Sequence, residues 1–210
     1  MAVIGSLTTT QIQGLSTTAV AALKTSDIRS LAATQLAALT TTQIGVLSTT
    51  QLAALQTSQV AALESTDLAV LSTSQLRGLA STQLAALTTT QVGALTTTQL
   101  RNLSATQVKG LTSTQIGALD TTQAQSLTTT QLNALSTSQV RGFETTDLAA
   151  LTTTQILGLS SAQLGALTTT QFAALESTDV GVLTVTQLKG LTSTQMAALT
   201  TTQVGALTTT

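Results

Sequence analysis

The sequence predicts an all-α repeat solenoid of short capped helices, and three observations predict it. Leucine recurs at every eighth position from Leu7 to Leu207, replaced once, by Phe143. Between leucines the residues keep one order: two positions rich in Ser and Thr, a further Ser or Thr, Gln, then Ile, Leu or Val, a variable residue, and Ala or Gly. The period itself is the third observation. A straight α-helix advances ~100° per residue, so leucines eight apart would spiral around the rod and bury against nothing. In a flat strand, positions one and six of the repeat fall on opposite faces. A chain with this period must bend once per repeat and stack on itself.

Each position then has a part to play, counting Leu as position one. Position two is usually Thr or Ser, and position five is Gln except at Ala19, Asp27, Asp67, Asp147 and Asp179. A hydroxyl residue three before a Gln is a capping box: the hydroxyl accepts from the backbone at the third helical residue, and the Gln reaches back to the cap N–H. The helix runs on through stretches such as Gln-Leu-Ala-Ala-Leu, all good helix formers, while the Thr cluster favours the cap. Position six and the next leucine share one face and form the core. Asp at position five suits the positive end of a helix. Glu64, Glu144 and Glu176 at the cap run against the scheme, since Glu caps poorly.

A second period of sixteen lies beneath the first. Ile or Val prevails at position six of odd repeats (Ile12, Ile28, Ile44, Val60) and Leu in even ones (Leu36, Leu52, Leu68, Leu84). Gly14, Gly78, Gly110, Gly142, Gly158 and Gly190 all close odd repeats. This alternation predicts a coil of two octapeptides, sixteen residues, and about thirteen coils. The alternative is a β-solenoid with sixteen-residue coils, in which positions four, six and eight point inward and Gln side chains stack as ladders. Abundant Ala, and no Asn, Asp or Gly at a fixed corner, count against the strand form. The repeat runs over residues 1–210 as one array, without internal boundary, linker or distinct end caps.

Composition narrows function by exclusion. With no His and no Cys there is no imidazole base, thiol nucleophile, disulfide or zinc site of the usual make-up. Net charge is −1 and charged residues are 7%, which gives no basic stripe for nucleic acid or an anionic membrane. No apolar run approaches the ~18 residues of a membrane span. Glycines are single, never a phosphate-binding loop. The expectation is therefore of no enzyme activity, no catalytic, cofactor or metal site, no cofactor and no small-molecule substrate. The pairs Glu64/Asp67, Glu144/Asp147 and Glu176/Asp179 raise paired carboxylates or a Ca²⁺ site, but lie near Arg77, Arg141 and Lys189 in sequence, which favours solvated ion pairs. Position-seven cations, among them Arg29, Arg77, Arg101 and Lys109, look like solubilising groups on an outer face.

Two resemblances follow from the repeat. The stretches 87–95 and 199–207, both LTTTQVGAL, resemble the opening of the repeats in TAL-effector DNA-binding proteins. The likeness covers the first helix of that repeat only; the second helix, the base-reading loop and the basic character are missing, so DNA binding is not carried over. Over all 210 residues the chain resembles the octapeptide tracts LTTxQ(I/V)xAL of very large bacterial secreted or surface proteins of the adhesin type. That resemblance implies a structural spacer or scaffold at an extracellular or cell-surface location. Two alternatives stand beside it: an ice- or surface-binding module using Thr ranks such as residues 88–90 and 128–130, and a self-assembling filament subunit joined end to end through uncapped ends.

Overall fold

The bend in each repeat is made by two extended residues between helices. Leu55 (φ −60°, ψ 139°) closes one helix and Gln56 (φ −74°, ψ 157°) caps the next. No residue in the described chain has positive φ, so the corner requires neither Gly nor Asn. From position three the backbone is helical for one to two turns, as in Thr41–Gly45 and Thr49–Ala54. The Ile44 N–H bonds the Thr40 carbonyl at 2.9 Å, and the Leu47 N–H closes the helix on the Ile44 carbonyl at 3.1 Å. Helices this short are unstable alone and hold only through caps and packing.

The computed structural model describes residues 4–207, and among them every regular element is helical: a 3-10 turn at Ile4–Ser6 and twenty-five α-helices of four to seven residues. The β-solenoid alternative is not supported. The helices group into two compact halves, one reaching to Gly110 and the other starting at Leu111. In each half the array winds as an α-solenoid. Thr41–Gly45 packs on Thr17–Ala21 and on Ser65–Val70; in the second half Thr145–Ala150 packs on Thr121–Ser126 and on Thr169–Ala173.

These contacts correct the sixteen-residue coil. Within each half a helix stacks on the third helix before or after it, not the second. Side-chain hydrogen bonds between turns span 25 to 31 residues, so one turn takes between three and four repeats. The odd–even alternation does not mark the turn because it concerns side-chain size, not direction. Ile44, Leu52, Val60 and Leu68 are all 0% exposed, whatever the parity of their repeat. The leucines at position one line the same interior, and Phe143 takes that place without leaving the core.

Turns approach closely. A Cβ built on Gly110 would lie 2.6 Å from the Ser81 Cβ and 2.7 Å from its carbonyl oxygen. Glycine is used there for clearance between layers, not for backbone freedom.

Candidate functional site

Glutamine at position five is the most heavily used polar side chain in the protein. Its Oε1 accepts from the backbone N–H of the cap residue, as in Thr88 N–H to Gln91 at 2.7 Å. The Gln91 N–H in turn donates to Thr88 Oγ1 at 3.2 Å, completing the expected box. Its Nε2 does something further: it donates to the carbonyls of Leu63 (2.6 Å) and Val60 (3.2 Å), one turn below. The same pattern joins Gln59 to Leu31 and Ile28, and in the second half Gln163 to Leu135 and Leu132. One buried amide thus caps its own helix and satisfies the end of another. Burial strengthens both duties, because an unpaired amide or carbonyl in this interior has no water to turn to.

Sequence reasoning found the cap and missed the staple. A signal was present: position five accepts Gln, Asp and Ala but never Glu. A capping box tolerates Glu as well as Gln. Glu would keep the cap but has no N–H to give the turn below, a loss that Asp shares where it stands.

Twenty-eight residues before Asp67, Asp147 and Asp179 lie Leu39, Leu119 and Leu151. These three aspartates are 2–3% exposed, which corrects the expectation of solvated ion pairs. Asp67 Oδ2 takes over the cap, accepting from the Glu64 N–H at 3.0 Å, and Thr121 Oγ1 donates to Asp147 Oδ1 at 3.0 Å. Oδ2 of Asp147 and of Asp179 has no hydrogen-bond partner. Burial pushes all three carboxyls above the usual carboxylate range, and the neighbouring charges of Glu64, Glu144 and Glu176 push the same way, with Asp120 adding to the effect on Asp147. Glu64, Glu144 and Glu176 occupy the cap position and make no side-chain cap bond, as expected of Glu.

Position seven also reaches between turns. Arg77 Nε donates to the Asn102 carbonyl at 2.9 Å, and Gln125 and Asn133 donate to the carbonyls of Ala150 and Gly158. Arg77 is therefore a structural tie as well as a solubilising charge.

Clefts lie in both halves of this scaffold, and two bear on the residues above. One, of about 670 Å³ in the second half, is lined by Arg141 with Ser113, Thr114, Thr137, Ser138 and small residues. It offers hydroxyls and one guanidinium, with no base to activate a nucleophile. The other, of about 420 Å³ in the first half, brings Glu64 and Asp67 together with Ala37, Leu39 and Thr40. Among the described residues no three acidic side chains gather in a metal-holding group, and no helix is long and apolar enough to cross a membrane.

Comparison with known families decides the kinship. The ALTTAQ repeat model matches five times, over residues 20–57, 60–97, 97–129, 140–177 and 172–209, well over half of the sequence. The chain belongs to the ALTTAQ repeat family. A search of curated protein sequences returned no match. Family membership agrees with a repeat tract along the chain.

Proposed function

We propose that this ALTTAQ array is a non-enzymatic structural segment, a spacer or scaffold within a larger secreted or surface protein. One observation carries the reading: two of the polar groups that recur in nearly every repeat, at positions two and five, are engaged in the fold's own hydrogen bonds. Position-two hydroxyls cap helices and position-five amides join turns, as Thr88 and Gln91 do. The variable residues at position seven lie towards the surface and assemble no nucleophile with a base. Such an array supplies length, and its stability comes from nearest-layer interfaces that can be multiplied at will. The surface location rests on the resemblance to adhesin-type tracts. Arrays of 13, 26 and 39 repeats test the proposal by small-angle scattering. A spacer's maximum dimension grows in proportion to repeat number; a dimension that levels off overturns the reading.

The exposed hydroxyls of Thr90 and Thr130 favour a second reading, binding of ice or another ordered surface. Position two is withdrawn from any such rank by its cap bonds, which leaves positions three and four. Thermal hysteresis in a concentrated solution supports it, and freezing indistinguishable from that of an equal concentration of albumin rules it out.

A further inference from the structure

At three places the repeat changes two residues together. Where Asp replaces Gln at 67, 147 and 179, the cap residue is Glu each time, giving Glu-Ser-Thr-Asp or Glu-Thr-Thr-Asp. The cap hydroxyl and the staple donor are lost in one step, and two carboxylates enter. Below each aspartate, 28 residues earlier, lies a leucine carbonyl (Leu39, Leu119 and Leu151) that elsewhere receives a Gln N–H at 2.6–2.9 Å. A carboxylate has no N–H to give, and Asp stands one methylene, roughly 1.5 Å, further back. At Asp67 the space between is a cleft that Glu64, Asp67, Ala37 and Leu39 line together. Asp67 keeps one donor, the Glu64 N–H, and Asp147 keeps Thr121 Oγ1, while at Asp147 and Asp179 a buried carboxylate oxygen, Oδ2, is left with no donor.

We propose that the Glu64/Asp67, Glu144/Asp147 and Glu176/Asp179 pairs are Ca²⁺-binding positions, each completed by the backbone carbonyls of the turn beneath. The ligand set is oxygen only, which suits a hard cation. Two carboxylates match a double charge, and the neutral carbonyls and water fill the remaining positions of a flexible six- to eight-fold shell. Mg²⁺ is disfavoured, because it demands a near-ideal octahedron that a partly fixed backbone does not offer. The ion replaces the lost staple, tying the Asp-bearing helix to the end of the helix below. With two carboxylates per site, the affinity belongs to the weak class of about 10⁻⁴–10⁻³ M.

The test uses the full chain, stripped with EDTA, dialysed and titrated with CaCl₂ by calorimetry and thermal melting. Its partner is the triple variant Asp67→Gln/Asp147→Gln/Asp179→Gln, which restores the residue that holds this position elsewhere. The expected result is saturable binding of three ions and a rise in melting temperature for the native chain, with neither in the variant. A second triple variant, Glu64→Thr/Glu144→Thr/Glu176→Thr, keeps the aspartates and regains the caps; its Ca²⁺ affinity should fall at least tenfold. Absence of saturable binding to the native chain, equal binding by the Gln variant, or unchanged affinity in the Thr variant overturns the proposal.

Discussion

At the scale of single residues, the difference between an amide and a carboxylate governs this protein. Gln91 gives its oxygen to the Thr88 N–H and its nitrogen to the Leu63 carbonyl. Gln91→Glu keeps the first bond and, at neutral pH, turns a buried negative oxygen toward the second acceptor. An unsatisfied buried group costs about 1–3 kcal/mol, and more when charged. The variant should therefore melt well below the parent at pH 7 and recover as pH falls, once the neutral acid donates to Leu63. Thermal melts across pH 4–8 check this; a deficit that is constant with pH refutes it. The native aspartates obey the same logic. Their folded-state affinity for a proton is raised by burial, so their contribution to stability is complete below the ordinary carboxylate range. It is lost as pH rises through their raised folded values. In the presence of EDTA, stability should increase from pH 7 towards pH 4.5, and Asp67→Asn/Asp147→Asn/Asp179→Asn should flatten that slope.

At the scale of the element, each helix is a single turn or two held by what lies at its ends. Thr88→Ala removes the hydroxyl that accepts the Gln91 N–H, a loss of about 0.5–2 kcal/mol by the usual measure of a cap. Chemical denaturation should register it as a lowered midpoint with unchanged slope. Position eight has a different limit. Gly110→Leu should destabilise strongly, since Ser81 already stands within 2.6–2.9 Å of where a Cβ would be, while the same change at Gly45, a position-seven glycine that meets nothing within 4 Å, should be tolerated. Comparing the two melts separates clearance from helix propensity. Much of the element was legible in the sequence: the hydroxyl–Gln spacing placed the caps, and the leucine period placed the core. The Nε2 bond was not, because its partners lie 28 to 31 residues away and carry no distinguishing side chain; they are backbone carbonyls. The acidic sites were half visible, as carboxylate pairs, but their burial depends on the turn beneath.

At the scale of the whole molecule, register is counted in eights. Removing Leu47–Ala54, one whole repeat, leaves every later Gln opposite the same kind of carbonyl. Removing residues 47–50 alone sets position five against position five, instead of position one, in every staple that spans the deletion. The first deletion should fold with native-like far-ultraviolet circular dichroism, and the second should lose helical signal; equal behaviour of the two would contradict the staple register. The turn of three to four repeats was hidden for the same reason that the sixteen-residue pattern misled. Alternation of Val and Leu, or Ala and Gly, is free to drift in a core where Ile44 and Leu52 are equally enclosed, whereas the angle of each bend is written only in backbone dihedrals.

The direction of the Gln bond has a consequence for synthesis. Each donor reaches backwards, to carbonyls made about thirty residues earlier. For these bonds a chain leaving the ribosome does not wait for a partner still to be translated, whereas the position-seven donors Arg77, Gln125 and Asn133 reach forward and close later. Folding can keep pace with elongation, and an array twice as long asks nothing of its last helix that was not asked of its fifth.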